Sequence, residues 1–306
     1  MAAYHKMLII IGPTASGKSD VALELARQTG AHLLSIDSMQ VYRDMNIGTA
    51  KPTPTEQAQV PHHLIDLVPP NESFTVARFV ELADGVIQES HSQATPLIAT
   101  GGTPLYFKSL FQGLFEGPHA DPQLRAQLSA LPNDQLHARL TLVDPPAAAR
   151  IHPNDTKRLI RALEVHTLTG RPISSWQTEW ATPHFRHDAL WFGLFWDRDA
   201  LNRRINARAK SMIAAGWLDE VRHLLKHYGQ LSPTAAEATG YRQLIDHLQG
   251  RLSLTDAIEQ IKISTRQLAR RQMKWFRRFP NVHWLPGDQP LASHIETIMT
   301  TWCASL

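Results

Sequence analysis

The chain has 306 residues, of which 43% are apolar, so it can bury a large core in one domain or in two smaller ones. Its formal net charge of +3 is compatible with a nucleic-acid partner but does not require one. The single cysteine, Cys303, excludes an intrachain disulfide and favours a reducing compartment. The first apolar run, residues 7–11, is too short for a signal peptide or a membrane span. We therefore expect a cytoplasmic protein that does not enter the membrane.

Strand and helix patterns alternate in the first part of the chain. Short continuous apolar runs predict buried strands at residues 7–11, 32–36, 96–99 and 190–196. Apolar residues with helical spacing follow the first of these strands as far as Gly30, and they recur over residues 74–89. These patterns predict an α/β fold in which helices flank a parallel sheet.

Residues 117 to 183 have helical patterns and no strand pattern. Asp121 directly before Pro122 predicts a helix start, and a second helix runs from about residue 154 to a stop at Gly170. Because strand-like sequence resumes afterwards, we interpret this stretch as an all-helical insertion into the core. The predicted domains are 1–116, the first part of the core; 117–187, the insertion; and 188–306, the rest of the core with C-terminal basic helices.

A phosphate-binding loop follows the first predicted strand and precedes the first predicted helix. Its sequence fits G-x-x-x-x-G-K-[ST] without deviation. In such a loop the backbone N–H groups and the helix N-terminus face an anion, the lysine adds a charge, and the last hydroxyl contacts Mg²⁺. We predict a P-loop NTPase-like core, with Ser19 contacting the cofactor Mg²⁺. The loop comprises Gly12, Pro13, Thr14, Ala15, Ser16, Gly17, Lys18 and Ser19.

Two polar residues follow the next predicted strands. Asp37 comes after residues 32–36, at the carboxyl edge where α/β sheets bind ligands. It is a general base, a metal contact, or only a turn residue. Thr103, after residues 96–99, either caps the next helix or turns its hydroxyl toward the phosphates.

A dense run of cations without an acidic residue lies in a predicted helix near the C-terminus. Positions 266, 270, 274 and 278 share one helical stripe, and like charges repel one another unless an anion lies on them. A nucleic-acid backbone is the sharper interpretation, and a solvated basic surface is the alternative. The run comprises Lys262, Arg266, Arg270, Arg271, Lys274, Arg277 and Arg278. Smaller sets are Lys157, Arg158 and Arg161, and then Arg203, Arg204, Arg208 and Lys210.

The histidines and tryptophans predict neither a zinc site nor a base-stacking surface. The sixteen histidines include no H-E-x-x-H pattern and no Cys/His quartet, so we expect no zinc. Tryptophans 176, 180, 191 and 196 lie among apolar neighbours and are predicted to be core residues.

Several motifs extend over almost the whole chain. They are residues 12–19, 37–43, 47–52, 61–64, 101–103 with 105–107, 157–164, 169–172, 240–242 and 270–277. Considered together, they resemble the tRNA dimethylallyltransferases. The resemblance implies transfer of a dimethylallyl group from dimethylallyl diphosphate to N6 of the adenosine 3′-adjacent to the tRNA anticodon, with diphosphate as the leaving group. Pro104 stands where this family often has glycine, and Lys157 where glutamine is common; neither change is expected to alter the activity.

The resemblance also implies roles for individual residues. Asp37 would accept the N6 proton, Thr103 would help to place the reacting groups, and Arg208 would neutralise charge on the departing diphosphate, which the phosphate loop holds. The partner is the anticodon stem-loop of a tRNA, and we expect a monomer. Residues implied to contact tRNA are Asp37, Ser38, Met39, Gln40, Thr103, Arg125, Lys157, Arg158, Leu159, Ile160, Arg161, Gly240, Tyr241, Arg242, Gln243, Arg270, Arg271, Gln272, Met273, Lys274, Trp275, Phe276 and Arg277.

Two other functions use some of the same features. A small-molecule or nucleoside kinase would bind ATP at the phosphate loop. A nucleotide-gated RNA-binding protein would use the basic helices, and Asp37 would then be only a turn residue.

Overall fold

A computed structural model describes residues 7–114, 117–176 and 185–304. The chain divides into two compact units: a sheet unit, Met1–Leu110 with His187–Leu306, and a helical unit, Phe111–Arg186. The sequence placed the start of the insertion at residue 117, a few residues later than this division. Among the described residues, no helix is long and apolar enough to cross a membrane. The predicted core residue Trp180 lies outside the described residues.

The strands of the sheet unit form one parallel sheet. In the described part of the chain it has six strands in the order β3-β2-β4-β1-β5-β6. Central β1 pairs with β4 through Leu8 and Ile98 and with β5 through Leu8 and Leu190. All residues of β1 are buried, as the continuous apolar run predicted. The strands are β1 (Met7–Ile11), β2 (His32–Ser35), β3 (His62–His63), β4 (Leu97–Thr100), β5 (Ala189–Phe195) and β6 (Val282–Pro286).

The helices of the described residues are numbered along the chain. They are α1 (Lys18–Thr29), α2 (Pro54–Gln59), α3 (Val76–Ser92), α4 (Pro104–Gln112), α5 (Pro122–Ser129), α6 (Asn133–Val143), α7 (Pro145–Arg150), α8 (Thr156–Thr169), α9 (Arg198–Ala214), α10 (Trp217–Tyr228), α11 (Pro233–Ala236), α12 (Tyr241–Leu248), α13 (Leu254–Phe276) and α14 (Leu291–Ala304). The α5 to α8 series belongs to the helical unit.

One layer of the core of the sheet unit lies between the sheet and the helices α1 and α14. Leu8 of β1, Leu25 of α1 and Trp302 of α14 are fully buried in one cluster. Fully burying an aliphatic side chain of this size stabilises the fold by about 1.5–3 kcal/mol. Helix α1 ends at Gly30 in the left-handed conformation, φ 68°, which confirms the predicted stop.

The sequence patterns did not predict the two edge strands, β3 and β6. Strand β6 pairs in parallel with β5, with Val282 opposite Trp191. Its residues are only half-buried or exposed, because the strand lies at the edge of the sheet. It therefore has no continuous apolar run that could distinguish it from a loop.

The basic stripe is shorter than predicted. Helix α13 ends at Phe276, so Arg277 and Arg278 lie beyond its last turn. Lys262 is nearly buried and donates a hydrogen bond of 2.5 Å to Glu259, one turn earlier. Neither Lys262 nor Arg278 therefore belongs to an exposed helical stripe.

Helix α5 of the helical unit begins where the sequence predicted. The unit also buries part of a segment assigned to tRNA. The carboxylate of Asp121 accepts hydrogen bonds from Gln123 N (2.9 Å) and Leu124 N (3.0 Å), which confirms the predicted cap. In α8, Leu159 and Ile160 belong to the apolar core of the unit, so their assignment to an RNA surface is corrected. Their neighbours Lys157 and Arg158 are exposed.

A buried carboxylate in α8 holds two of the arginines assigned to tRNA. Glu164, with its side chain 0% exposed, accepts hydrogen bonds from Arg125 Nε at 2.8 Å and from Arg161 at 2.6 Å. Asp121 N adds a third donor at 2.9 Å. Burial alone would raise the pKa of Glu164, but these donors outweigh burial and lower the pKa to about 2. The orientation of both guanidinium groups thus depends on Glu164.

Glu164→Gln should destabilise the protein in a pH-dependent way. Because the folded pKa of about 2 lies below the ordinary value of 4.5, the charge stabilises the fold above pH 4.5, and this contribution is lost as pH falls toward 2. We expect a loss of about 2 kcal/mol in urea unfolding at pH 7. The difference in the free energy of unfolding between this variant and wild type should shrink at pH 3. Exposed Glu81→Gln is the control, and a pH-independent difference would contradict the prediction.

Candidate active site

The phosphate loop joins β1 to α1, where the sequence pattern placed it. Ala15 and Gly17 have left-handed backbones, with φ 64° and 93°. Alternation of left-handed and right-handed residues turns successive N–H groups into a concave anion-binding surface. Helix α1 begins directly after Gly17, so its N-terminus also faces this loop.

Two side chains hold the phosphate loop through its backbone carbonyl groups. Arg204 Nε donates to Ala15 O at 2.8 Å, and Trp196 Nε1 donates to Ser16 O at 2.9 Å. The Arg204 guanidinium lies 4.3 Å from the centre of the Trp196 ring. Because a trans peptide directs its N–H opposite to its C=O, the bond to Ser16 O turns the N–H of Gly17 away from Trp196.

Sequence reasoning missed both of these supporting residues. It placed Trp196 in the core and Arg204 in a basic set of unknown purpose. The available signal was position, because Trp196 follows the last residue of β5 and thus lies at the same sheet edge as the phosphate loop.

The structure brings the predicted catalytic residues into one cavity of about 270 Å³. Lys18 and Ser19 come from the phosphate loop, Asp37 and Thr103 follow β2 and β4, and Arg208 comes from α9. Other predicted residues that line this cavity are Thr14, Ser38, Met39, Gln40, Tyr241 and Gln272.

A second cavity, of about 560 Å³, adjoins the first along the phosphate loop. Lys18, Ser19 and Arg208 line both cavities. Ser16 also lines the second, and its buried hydroxyl has no hydrogen-bond partner among the described residues. A buried hydroxyl without a partner costs about 1–3 kcal/mol, so an oxygen-rich ligand at this position would relieve that cost.

Asp37 is both a turn residue and a residue of the cavity. Its Oδ1 accepts a hydrogen bond from Met39 N at 2.8 Å, which accounts for the turn interpretation. Its Oδ2 lies beside Gly102, only 3.3 Å from where a Cβ would stand on that glycine. A Cβ on Gly101 would lie 2.0 Å from Ile36 O, so the backbones after β2 and β4 touch where only glycine fits.

Thr103 ties the same two loops together. Its Oγ1 accepts a hydrogen bond from Ser38 N at 2.9 Å and donates to Ser38 Oγ at 3.1 Å. Thr103 also directly precedes α4. Asp37 and Thr103 therefore share one rigid support on the cavity wall.

The two cations of the cavity are both half-buried, and their surroundings lower the pKa of each. Burial, followed by the nearby charge of Arg208, lowers the pKa of Lys18 to about 8, although Asp37 opposes the shift. Burial likewise lowers the pKa of Arg208, and Asp20 and Asp37 partly offset this effect. Desolvated like charges favour an anion between them.

Glu220 of α10 is a further supporting residue that sequence reasoning missed. Its carboxylate accepts hydrogen bonds from Ile47 N at 2.6 Å and Gly48 N at 3.3 Å. The Tyr241 hydroxyl donates to the same carboxylate at 2.6 Å. Tyr241 is fully buried and lines the cavity, so its side chain supports the cavity wall and does not lie on the outer surface. Glu220 was not predicted because it is far along the chain from Ile47 and Gly48, and a sequence motif joins only residues that are close in sequence.

The remaining residues assigned to tRNA differ in exposure. Gln272 and Phe276 are buried, so neither lies on the exposed face of α13, and Gln272 lines the cavity instead. The side-chain oxygen of Gln40 accepts a hydrogen bond from Ser35 Oγ, and its Nε2 donates to Thr49 O and Ala50 O. Gln243 Oε1 accepts from Gly240 N at 2.9 Å at the start of α12.

Met273 and Trp275 are half-buried. The exposed members are Arg242, Arg270, Arg271, Lys274 and Arg277.

Comparison with known proteins assigns the family. The family model described as IPP transferase matches residues 40–279, and the one described as Isopentenyl transferase matches residues 5–68. The chain belongs to the IPP transferase family. This family and the parallel sheet confirm the predicted fold class and the resemblance noted in the sequence.

Named relatives support the same assignment. The chain is 44% identical to tRNA dimethylallyltransferase 1 of Citrifermentans bemidjiense, over 92% of this chain and 93% of that protein. It is 37% identical to the crystal structure of the tRNA isopentenylpyrophosphate transferase of Bacillus halodurans, with a TM-score of 0.73 and coverage of 98% and 97%. A eukaryotic dimethylallyltransferase captured acting on tRNA has 26% identity and a TM-score of 0.83, over 98% of this chain and 80% of that one.

The lowered pKa of Lys18 predicts a pH-dependent affinity for inorganic diphosphate. Lys18 is charged below pH 8 and neutral above it, so the attraction to an anion weakens as pH rises through 8. Between pH 7 and pH 9 we expect a loss of about tenfold in affinity, relative to Lys18→Arg, which stays charged. Calorimetric titration measures both proteins, and their ratio cancels the ionisation of diphosphate itself. Parallel pH profiles would contradict the prediction.

Proposed function

We propose that the cavity transfers a dimethylallyl group from dimethylallyl diphosphate to N6 of the adenosine 3′-adjacent to the anticodon of a tRNA. The observation that carries this proposal is the arrangement of the cavity. Cations and loop backbone occupy the side where β1 ends, and Asp37 with Thr103 occupies the side where β2 and β4 end. The family match favours this reaction over the kinase and the nucleotide-gated binding protein.

The leaving group is proposed to bind at the phosphate loop. Negative charge develops on the diphosphate as the bond from oxygen to carbon breaks, and Lys18 and Arg208 stabilise that charge. Preorganised donors need little rearrangement as this charge develops. Ser16 and Ser19 supply further hydroxyl groups along the same loop.

Mg²⁺ is proposed as the cofactor. The fit rests on the chemistry of the donors, because Ser19 offers a hard oxygen next to the place where diphosphate oxygens would lie. Ser19 and the diphosphate would hold the ion, which adds positive charge to the leaving group.

The acceptor amine is proposed to bind opposite the leaving group. As the N6 lone pair forms the new bond to carbon, the bond between that carbon and oxygen breaks and its electron pair leaves with the diphosphate. Asp37 accepts the proton that the amine loses. A positioned base of this kind contributes about 10²- to 10⁴-fold to the rate. Thr103 and Ser38 fix the loop that carries this base.

The tRNA is proposed to reach the cavity through an extruded base. Chemistry on a stacked base requires that the base leave the stack, so the adenosine enters the 270 Å³ cavity and the donor enters through the adjoining one. The exposed cations of α13 give the RNA backbone a surface of opposite charge. We also propose that Lys157 and Arg158, exposed in α8, contact the RNA, and that the protein is a cytoplasmic monomer.

The reaction is tested with tRNA, Mg²⁺ and labelled dimethylallyl diphosphate in the absence of ATP. Label should enter the RNA with the wild-type protein. Asp37→Asn keeps an oxygen for Met39 N but loses the base, so we expect transfer to slow by about 10²- to 10⁴-fold with little change in tRNA affinity. Asp44→Asn, outside the cavity, is the control. Absence of label where tRNA binds would refute the proposal, and phosphate transfer from ATP would favour the kinase.

The RNA surface is tested by salt dependence. Arg270→Gln removes one exposed cation, so the slope of log K against log salt should become shallower by about one for an anticodon stem-loop. Arg222→Gln, whose guanidinium is paired with Asp219 on α10, is the control. An unchanged slope for Arg270→Gln would remove this residue from the RNA surface.

A further inference from the structure

Gln272 lies on the basic helix α13 but points away from solvent. Its neighbours Arg270, Arg271 and Lys274 are exposed, whereas Gln272 is only 4% exposed. The residue lines the 270 Å³ cavity. Its side chain therefore acts inside the protein, although the motif around it was assigned to RNA.

The side-chain amide of Gln272 connects two loops that are far apart in sequence. Its Oε1 accepts a hydrogen bond from Thr14 N of the phosphate loop at 2.8 Å. Its Nε2 donates to Gly102 O, after β4, at 2.6 Å. A primary amide offers an acceptor and a donor on one planar group without a change of protonation state.

The loop that receives the second bond carries the acceptor side of the cavity. Gly102 directly precedes Thr103, and Asp37 Oδ2 lies 3.3 Å from where a Cβ would stand on Gly102. The bridge through Gln272 thus runs from the loop proposed to hold diphosphate to the backbone that supports the proposed base. Misplacement by about 1 Å can slow a reaction by about 10²-fold.

The geometry points to Gln272 as a positioning residue that sets the separation between the diphosphate and the groups that act on the adenine amine. The expected effect of Gln272 on the transfer rate rests on the proposed function. The expected effect on diphosphate binding does not, because Thr14 belongs to the phosphate loop whatever reaction the protein performs.

The simpler alternative is that Gln272 only satisfies buried backbone groups for folding. A purely structural residue would change the stability of the protein, and diphosphate affinity would follow only the loss of folded protein. A positioning residue changes diphosphate affinity and transfer rate in protein that remains folded. The two roles therefore differ in measurable quantities.

The test uses two variants of the full chain. Gln272→Met keeps the length of the side chain but removes the acceptor and the donor together. Gln272→Glu keeps the acceptor for Thr14 N, and it regains a donor for Gly102 O only when its carboxyl group is protonated. Gln267→Met, at an exposed position of the same helix, is the matched control.

For Gln272→Met we expect a loss of about tenfold in affinity for inorganic diphosphate with Mg²⁺, and a loss of about 10- to 100-fold in single-turnover transfer. Affinity for the anticodon stem-loop should stay near that of wild type. The urea midpoint should fall, because Thr14 N and Gly102 O lose their partner, but the variant should remain folded under the assay conditions. For Gln272→Glu, the transfer rate relative to wild type should rise as pH falls from about 8 to 6, because protonation restores the donor. Gln267→Met should match wild type throughout.

Three results would overturn the assignment. The first is unchanged diphosphate affinity in Gln272→Met. The second is weaker RNA binding with normal transfer at saturating RNA, which would return Gln272 to an RNA surface. The third is unfolding of both variants with no recovery of Gln272→Glu at low pH. If the wild type transfers no dimethylallyl group, the proposed function fails, and the diphosphate titration still decides the role of Gln272.

Discussion

The parallel direction of the central strands places the functional groups of the sheet unit at one edge. Because β1, β2 and β4 are neighbours and run the same way, their carboxyl ends meet, and the segments after them form the cavity. The chain connects these segments only through long helical excursions, so packing must set their relative positions. Gly101 against Ile36 O and Gln272 between Thr14 and Gly102 are two of the contacts that do so. The geometry of the site is thus a property of the sheet and of α13 together.

Opposite charges coexist in this cavity because each is held by its surroundings. Asp37 is tied to Met39 N, while Lys18 donates a long bond of 3.4 Å to Pro13 O. Burial and the nearby charge of Arg208 lower the pKa of Lys18 more than Asp37 raises it, so the charged form of Lys18 is less stable here than in water. An anionic substrate therefore gains more here than at an exposed lysine, where water already stabilises the charge.

Sequence patterns predicted the elements and residues whose signal is local. The apolar run before Gly12, the loop up to Ser19 and Asp37 after β2 each have their signal within a few residues. The roles of Arg204, Trp196 and Glu220 depend on partners more than 170 residues away, and no spacing rule connects them. The burial of Gln272 and Tyr241 was missed for a related reason: a motif marks a segment as functional without saying which of its side chains face inward. Edge strand β6 lacked a continuous apolar run because its residues are only half-buried or exposed.

The surroundings of the phosphate loop explain why it suits a leaving group. A kinase would place an acid at the end of a neighbouring strand to hold the metal and its water. Here β4 is followed by two glycines and Thr103, and the close contact at Gly101 brings the backbone that carries Asp37 into the wall of the same cavity as Lys18 and Arg208. Asp20 and Glu56 line the adjoining cavity along the phosphate loop, so acidic groups also lie on that side. In the proposed reaction Asp37 accepts a proton from the amine while Lys18 and Arg208 stabilise the departing diphosphate, so each charge is stabilised where it develops.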